Sequence, residues 1–407
     1  MTLPATLPAT FPLAERVGKI KPSPTLTLDA EVKSMKAGGK KIVNLGIGEP
    51  DFETPDHIKE AAIKAVRDGF TKYTPSEGIL ELREAWAAKF REDNSLDYSP
   101  DRMVVTNGGK HALYNAAQVL FGPGDEVIIP SPYWVTYPDQ IRLSGATPVF
   151  VETLPEDNFV LKPERLLAAI TDRTKGIIIN SPSNPAGALH SREDLLALAP
   201  VLEEKRLWII SDDIYETLVY DEGVFCNVPM AVPDLMDRTV ICHGVSKTYS
   251  MTGWRIGVMA APREVARAAA KLQSQMTSNP CSIAQKAALA ALTGPREPMR
   301  KMFEVFSRRR RLVLDLLRDI PGFETPVPKG AFYVFPDVSK ILGDVRDGKI
   351  AGNSDDLSSL LLKECEVATV PGSGFGRDEA IRFSYAASEE EIKEGLGRIS
   401  RFLTGSR

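Results

Sequence analysis

The sequence predicts an α/β protein with a large domain on a mostly parallel sheet and a smaller α+β domain. Three observations lead to this prediction. The chain has 407 residues, 43% of them hydrophobic, and chains of this length usually divide into two domains. From about residue 79, amphipathic helical segments alternate with short apolar runs, which are typical of strands buried on both faces of a parallel sheet. Towards the C-terminus the pattern changes to a mixture of helices and separate strands.

The apolar runs predict the strands of the large domain in chain order. Each run is short and lies between amphipathic segments. Because ligands bind at the carboxyl ends of the strands in an open parallel sheet, the residues after each run are the candidates for a site. The runs are "MVVT" at 103, "EVIIP" at 126, "TPVFVE" at 147, "GIIIN" at 176, "LWIIS" at 207, "TVICHGVS" at 239 and "RIGVMAA" at 255.

The rest of the sequence predicts how the chain divides into domains. We expect an N-terminal arm and part of the small domain in residues 1–47, the large domain in 48–294, and the rest of the small domain in 295–407. The Pro/Thr-rich start is expected to fray.

Two helices of the C-terminal part are predicted in detail. A long helix over about 296–318 contains "RRRR", which we interpret as a solvated or inter-domain face rather than a nucleic-acid site. The last helix opens with the capping-box pair Ser388 and Glu391.

Composition excludes several classes of partner. Fifty Lys and Arg against 54 Asp and Glu give a net charge of −4 without a concentrated basic region, so we expect neither nucleic acid nor a membrane surface as partner. Prolines interrupt the start where a signal peptide needs an apolar core, and no window is long enough to span a membrane. The expectation is a cytoplasmic protein that acts on a small molecule. Neither a metal site nor a disulfide framework is expected from the widely spaced Cys226, Cys242, Cys281 and Cys365.

A glycine-rich turn follows the first strand of the large domain. "NGGKHALYNAAQVL" places two glycines and Lys110 at the start of a helix, and such a turn offers backbone N–H groups and a positive dipole to a phosphate. Gly-Gly turns between a strand and a helix are also frequent for purely structural reasons, so these residues alone do not decide whether the turn binds a phosphate. Neither GxGxxG nor GxxxxGK[ST] is present, which argues against the usual dinucleotide and nucleoside triphosphate sites.

Three further strands end in polar or aromatic residues. Trp134 in "SPYW" is either core or a stacking platform for a flat ligand. Asn180 and Asn184 in "NSPSNPAG" are turn formers or ligand donors, with turn formation the default for one of them. Asp212 follows an apolar strand and is either an exposed loop residue or a partly desolvated carboxylate that needs a cation or hydrogen bonds.

Lys247 in "GVSKTYSMTGWRIG" reaches the same edge of the sheet. A partly desolvated lysine near other cations has a lowered pKa and can act as an amine in Schiff-base chemistry. These signals together fit a flat, phosphorylated ligand that carries an aldehyde and a ring nitrogen. Pyridoxal 5′-phosphate has these features.

Seven stretches carry a resemblance to a known family. In chain order they are "KYTPSEG", "VTNGGKHALYNA", "SPYW", "NSPSNPAG", "SDDIYE", "GVSKTYSMTGWRIG" and "IRFSYA". Over about residues 15–405 the chain resembles the class I and II aminotransferases of the aspartate aminotransferase superfamily, and within it the bacterial aspartate/prephenate aminotransferase group. The resemblance implies the transferase fold of type I, a mostly parallel seven-stranded sheet, pyridoxal 5′-phosphate as cofactor, and a homodimer with active sites at the subunit interface.

The resemblance also implies roles around the cofactor ring. Lys247 resembles the lysine that binds the cofactor covalently, and Asp212 resembles the acid that pairs with the pyridine nitrogen. Tyr215 and Asn184 resemble the pair that bonds the phenolic oxygen, and Trp134 resembles the aromatic residue stacked on the ring. The catalytic residues expected on this basis are Lys247, Asp212 and Tyr215.

Phosphate and substrate contacts follow from the same comparison of motifs. Tyr73 resembles the tyrosine that reaches the phosphate of the neighbouring subunit. Arg382 resembles the arginine that clamps the substrate α-carboxylate, and Gly48 a backbone donor to the same group. The remaining phosphate contacts are expected at Gly109, Lys110, Ser246 and Arg255.

Substrate preference rests on fewer residues. Thr25 and Lys110 match positions expected to recognise a distal carboxylate, which favours aspartate and glutamate, with prephenate or arogenate as further candidates; Lys110 has the alternative of serving the phosphate alone. Phe332 and Phe375 are pocket candidates, although core is the commoner role of such aromatics. His243 replaces a frequent asparagine of the group and has no functional interpretation.

The implied activity is ping-pong transfer of an amino group between an L-amino acid and a 2-oxo acid such as 2-oxoglutarate. Ala186 and Asp213 differ from the residues that are usual in the family's motifs, but neither change removes a side chain to which a role is assigned above. Three alternatives stay open: an alanine or aromatic aminotransferase, a Cβ or Cγ lyase on the same fold, and a non-catalytic cofactor-binding regulator. Regulators of this kind usually carry a DNA-binding domain, and the segment before residue 15 is expected to be too short for one.

Overall fold

The computed structural model of the chain describes residues 13–346 and 348–405. Residues 1–12, in which the sequence predicts a frayed start, lie outside the described part. The strands, in chain order, are β1 (Val43–Asn44), β2 (Met103–Thr106), β3 (Glu126–Ser131), β4 (Thr147–Glu152), β5 (Thr174–Asn180), β6 (Trp208–Asp212), β7 (Thr239–Gly244), β8 (Gly257–Ala260), β9 (Tyr333–Val334), β10 (Gly343–Arg346), β11 (Lys349–Ala351), β12 (Val367–Ala368), β13 (Val370–Pro371) and β14 (Ile381–Ser384).

The α-helices surround these strands and connect them. None of those in the described ranges is long and apolar enough to cross a membrane. They are α1 (Glu15–Gly18), α2 (Pro24–Ala37), α3 (Asp56–Arg67), α4 (Leu80–Asn94), α5 (Gly109–Leu120), α6 (Tyr137–Ser144), α7 (Pro163–Ala169), α8 (Arg192–Glu204), α9 (Val228–Ala231), α10 (Arg263–Met276), α11 (Ser282–Thr293), α12 (Glu297–Arg318), α13 (Ser354–Cys365) and α14 (Glu389–Thr404).

A seven-stranded sheet forms the centre of the molecule, in the order β2-β8-β7-β6-β5-β3-β4. Strand β8 runs antiparallel to both neighbours, and the other pairs are parallel. The predicted mostly parallel seven-stranded sheet is therefore confirmed, and each of the seven apolar runs corresponds to one strand.

The apolar runs in the middle of the sheet form strands that are covered on both faces, whereas the edge strand β4 is partly exposed. Ile178 and Ile210 pack on one face in a cluster that includes residues of α5 and α10. Ile177 and Ile209 point to the other face and pack with residues of α8. Alternate side chains of one strand point to opposite faces, so a strand covered on both sides has to be apolar throughout.

A second group of strands lies in the C-terminal part. Strands β13, β14 and β9 form an antiparallel sheet, and β10 pairs with β11 in a hairpin that the sequence did not predict. Strand β1 pairs in parallel with β12, so the segment before residue 47 is hydrogen-bonded to this C-terminal part. The boundaries of the two domains remain a prediction.

The two detailed helix predictions agree with the structure. Helix α14 carries the reciprocal capping box of Ser388 and Glu391. In α12, Arg309 and Arg310 are buried, whereas their two arginine neighbours are exposed. The Arg309 guanidinium donates to both carboxylate oxygens of Asp51 at 2.6 and 2.7 Å, so half of the arginine run packs inside the protein and the other half is solvated.

Candidate active site

The carboxyl ends of the parallel strands open into one cavity of about 530 Å³. Segments that follow β2, β3, β5, β6 and β7 all contribute side chains to its wall, as do α2 and β14. A cavity of this size is large enough to enclose a small organic ligand. It lies where the sequence predicts a site, because strands that share a direction end at the same edge of the sheet.

Lys247 lies in the wall of this cavity just after β7. Its ammonium group donates to the carbonyl oxygen of Gly48 and lies 5.7 Å from the centre of the Phe332 ring. Burial lowers the pKa of Lys247 to about 8, and the positive charge of Arg382 acts in the same direction. A lysine with this pKa is about one-tenth free amine at pH 7, far more than an ordinary lysine, and the free amine is the form that attacks a carbonyl group.

Asp212 ends strand β6 and is buried in the cavity wall. The phenol of Tyr137 donates to its Oδ2 at 2.6 Å, and the backbone N–H of Ile214 donates to its Oδ1 at 3.4 Å. Burial raises the pKa of Asp212 to about 6, although the hydrogen bond from Tyr137 opposes this change. The carboxylate is therefore one for which a nearby cationic group would be favourable.

Arg382 is the buried cation of the site. It is 1% exposed, and its guanidinium lies against the rings of Tyr333 and Phe375 at 4.4 and 5.0 Å. It donates to Oδ1 of Asn184 at 2.9 Å and to the carbonyl oxygen of Gly46 at 2.7 Å, whereas its Nε has no partner. Across residues 13–346 and 348–405, no carboxylate lies within ion-pair distance of Arg382.

A group of donors lies at the start of α5. Gly109 and Lys110 begin this helix, whose N-terminus offers free N–H groups. Arg255 lies beside the turn, and its guanidinium donates to the carbonyl oxygen of Asn107 at 3.3 Å. Gly108 has φ of 85°, and a Cβ atom there would lie 2.3 Å from Nη2 of Arg255. The turn therefore needs glycine for its backbone angle and for the space that Arg255 occupies.

Most of the residues predicted from the sequence meet in this cavity. Tyr73 does not belong to its lining and is 89% exposed on the surface. Phe332 and Phe375 are also absent from the lining and are fully buried in the core. The predicted residues that do line the cavity are Thr25, Gly48, Gly109, Lys110, Trp134, Asn184, Asp212, Tyr215, Ser246, Lys247, Arg255 and Arg382.

The two asparagines after β5 have different contacts. Asn180 shapes the loop, because its Oδ1 accepts the Asn184 N–H at 2.9 Å and its amide donates to the carbonyl oxygen of Asp212 at 2.9 Å. Asn184 directs its own Oδ1 at Arg382. The default turn former is thus Asn180, which also ties β5 to the end of β6.

Two tyrosines of the site were missed by the sequence reasoning. Tyr137 begins α6, three residues after Trp134, and donates to Asp212; its closeness in sequence to the "SPYW" motif was the available signal. Tyr333 shares a hydrogen bond of 2.9 Å with Tyr215 and stacks on Arg382. The sequence prediction named its neighbour Phe332 as a pocket candidate instead. Neighbouring residues of a strand point to opposite faces, so only one of the two could face the cavity.

His243 lies behind the site. Its Nδ1 accepts the N–H of Gly244 at 2.6 Å, and its Nε2 lies 3.3 Å from Oε1 of Glu216. Lys89 also contacts Glu216, and the charges of His243 and Lys89 overcome the effect of burial and lower the pKa of Glu216 to about 2. His243 thus belongs to a buried polar network rather than to the cavity wall.

The site thus combines an amine of low pKa, a buried carboxylate, and two separate groups of anion donors in one cavity. This is the arrangement of an enzyme that binds an anionic substrate and attacks a carbonyl group.

Comparison with known proteins agrees with the fold and the site. Residues 40–399 match the family described as aminotransferase class I and II. Aspartate aminotransferase of Geobacillus stearothermophilus is 47% identical over 96% of this chain and 98% of its own length. Aspartate/prephenate aminotransferase of Cereibacter sphaeroides is 48% identical over 97% and 99%.

Solved structures give the same result. Aspartate aminotransferase from Rhizobium meliloti superposes with a TM-score of 0.92 at 44% identity, over 96% of this chain and 98% of the other. Aspartate aminotransferase from Thermus thermophilus, solved with maleate, superposes with a TM-score of 0.91 at 43% identity, over 97% and 100%. The chain belongs to the class I and II aminotransferase family, as its motifs indicated.

Proposed function

We propose that the protein is a pyridoxal 5′-phosphate-dependent aminotransferase that moves the amino group of aspartate or glutamate to a 2-oxo acid such as 2-oxoglutarate. The observation that carries this proposal is the buried guanidinium of Arg382, which has no carboxylate partner in the described residues. A buried charge without a counter-ion is costly, so a substrate carboxylate is the partner that completes this site. Membership of the family supports the type of reaction.

The residues present fit the proposed cofactor. Asp212, whose burial makes a cationic partner favourable, would pair with the protonated pyridine nitrogen. Tyr215 and Asn184 would hydrogen-bond the phenolic oxygen, and the Trp134 indole would stack on the ring. The phosphate would be held at the start of α5 by Gly109, Lys110, Ser246 and Arg255, and the lack of a Cβ atom at Gly108 lets the Arg255 guanidinium lie against this turn.

Bound pyridoxal 5′-phosphate supplies an aldehyde that takes up amino groups and a ring that accepts electron density from the substrate Cα. Lys247 would hold this aldehyde at rest. The Nζ of Lys247, whose pKa is lowered by burial, would then act as the base that moves the proton at the substrate Cα. The negative charge of Asp212 would keep the pyridine nitrogen protonated, and this pair would stabilise the charge that develops during the reaction.

Arg382 would bind and orient the substrate α-carboxylate. Its planar guanidinium suits bidentate binding, and the rings of Tyr333 and Phe375 fix its plane. Gly48 lies beside Arg382 in the cavity wall, where a Cβ atom on it would be 4.0 Å from Nη2 of Arg382, and would add a backbone donor to the same carboxylate. The clamp leaves the substrate side chain free to enter the rest of the cavity.

We assign recognition of the distal carboxylate to Lys110 and Thr25. Lys110 extends over the Trp134 ring at 4.8 Å, and Thr25 lies at the start of α2, which forms part of the cavity wall. Partial desolvation and the charge of Arg255 lower the pKa of Lys110, so an added anion would be favourable here. The Cereibacter sphaeroides relative is named for prephenate as well as aspartate, and prephenate or arogenate is a further candidate for this chain.

The proposal includes a cytoplasmic homodimer with shared active sites. Tyr73, which is exposed and lies away from the cavity of its own chain, would contact the cofactor phosphate of the second copy.

A half-reaction screen tests the substrate assignment. The cofactor-loaded enzyme is mixed with aspartate, glutamate, alanine or leucine, and conversion of the cofactor to its amine form is followed by absorbance. We expect aspartate and glutamate to react fastest; equal rates with alanine and leucine would contradict the acidic-substrate assignment.

A variant of Lys110 tests whether this side chain recognises the distal carboxylate. Lys110→Met should slow the reaction with aspartate by about ten- to a hundredfold, the value of a hydrogen bond to a charged group, and leave alanine nearly unchanged. An equal loss of cofactor affinity and of both rates would assign Lys110 to the phosphate alone. Lys205→Met, at an exposed position, is the control.

A further inference from the structure

Buried amide side chains hold the loop 71–78, which carries Tyr73. This loop has no regular secondary structure, and Tyr73 is 89% exposed. Surface loops of this kind are usually the mobile parts of a fold. Here, two glutamines from the helices beneath the loop bind its atoms directly.

Gln285 of α11 fixes the loop on both sides of its turn. Its Nε2 donates to Oγ1 of Thr74 at 3.1 Å and to the carbonyl oxygen of Pro280 at 2.8 Å. Its Oε1 accepts the N–H of Ile79 at 2.8 Å. The side chain is fully buried, and both ends of its amide are used. Thr74, the residue next to Tyr73, is therefore bonded to a side chain that cannot move freely.

Gln273 of α10 connects the loop to the wall of the active site. Its Nε2 donates to the carbonyl oxygens of Ser76 and Val105 at 2.6 and 2.8 Å. Its Oε1 accepts from Nδ2 of Asn115 at 2.9 Å. Asn115 belongs to α5, the helix that begins with Gly109 and Lys110. A chain of buried amides thus joins the Tyr73 loop to the helix that opens at the proposed phosphate site.

We propose that Gln273 and Gln285 are positioning residues that hold loop 71–78 in the conformation in which Tyr73 enters the active site of a second copy of this chain. The inference rests on the proposed function, in which Tyr73 contacts the phosphate of the neighbouring subunit. Buried amides are costly unless all of their groups are bonded, and these two are bonded to loop atoms. Fixing the loop in advance reduces the entropy that Tyr73 loses when it binds.

A double-mutant cycle tests this coupling. The variants are Tyr73→Phe, Thr74→Val and the combination, and the readout is the dissociation constant of pyridoxal 5′-phosphate from the holoenzyme. Tyr73→Phe removes one hydrogen bond to a charged group and should weaken binding about tenfold or more. Thr74→Val removes the Gln285 contact beside Tyr73 but keeps the contact with Ile79, and should weaken binding about three- to tenfold. Thr74→Ser, which keeps the hydroxyl, should bind within about twofold of the native protein.

The double variant decides between positioning and a general structural effect. If Thr74 acts through Tyr73, the combination binds as Tyr73→Phe alone does, within about twofold. Effects that multiply would overturn this inference and leave the role of Tyr73 intact. Unchanged binding in Tyr73→Phe would overturn both, without touching the assignment of Lys247.

Direct replacement of the glutamine gives a second measurement. Gln285→Met is expected to weaken cofactor binding in the native background but not in the Tyr73→Phe background. Gln275→Met, on the exposed side of α10, is the matched control and should bind as the native protein does. Equal losses in both backgrounds would contradict the positioning role.

Discussion

Replacement of Asp212 by asparagine should stabilise the cofactor-free protein while it removes activity. Burial raises the pKa of this carboxyl from 3.8 to about 6, so the folded apoprotein binds a proton more tightly than the unfolded chain does. The stabilisation from that proton is complete below about pH 4 and is lost as the pH rises through about 6. Each pH unit between the two pKa values corresponds to about 1.4 kcal/mol, which gives a loss of about 3 kcal/mol at pH 8.

Asparagine escapes this loss because it carries no charge at any of these pH values. Its amide oxygen can still accept the hydrogen bond that Tyr137 donates to Asp212. We therefore expect Asp212→Asn to exceed the native apoprotein in free energy of unfolding by up to about 3 kcal/mol at pH 8, and by little at pH 4. Activity should fall about 100-fold or more, because the variant lacks the charge that stabilises the reacting system.

Urea unfolding of both apoproteins between pH 4 and 8 measures this difference. Asp234→Asn, at an exposed position, controls for the loss of one negative charge. If Asp212→Asn were equally or less stable than the native apoprotein at pH 8, ionisation of the buried carboxyl group would not lower the free energy of unfolding of the apoprotein. A difference that did not vary with pH would contradict the role of ionisation.

Three further substitutions test other parts of the site. Lys247→Ala should abolish transamination and the pH-dependent absorbance of the bound cofactor, since no other amine replaces Nζ; a variant with normal turnover in a spectrophotometric assay would refute the assignment. Arg382→Lys should raise KM for the amino acid about ten- to a hundredfold, because a point charge cannot replace the planar fork, and an unchanged KM would place the α-carboxylate elsewhere. Gly108→Ala should weaken cofactor binding, because its Cβ atom would lie 2.3 Å from Nη2 of Arg255; native affinity in a cofactor titration would show that Arg255 can move without loss.

The fold was predictable from the sequence to a large extent. Hydrophobic periodicity reports which faces of an element are covered, and the inner strands of the central sheet are covered on both faces, whereas the edge strand β4 is partly exposed. The direction of these strands then predicts where their ends meet. The hairpin of β10 and β11 was missed, because its short strands do not carry the apolar pattern of a central strand.

The site was predictable where a residue follows a strand and carries a recognisable motif. Lys247 and Asp212 were found in this way, and Arg382 was found from the resemblance of its motif alone; all three line the cavity. Tyr137 and Tyr333 were not, because local spacing can indicate which way a side chain faces but not its partner, which lies 75 or 118 positions away.

By itself, the sequence determined the central sheet and the family, and it indicated the groups that reach the carboxyl edge of that sheet. These features depend on local periodicity and on motifs, which are written in consecutive residues. The tertiary structure alone decided the partners: Arg382 meets Asn184 across 198 positions of the chain, and Gln273 joins Asn115 to the Tyr73 loop. Contacts of this kind depend on how separate elements pack, because hydrogen bonds act over a few ångströms in space regardless of the distance along the chain.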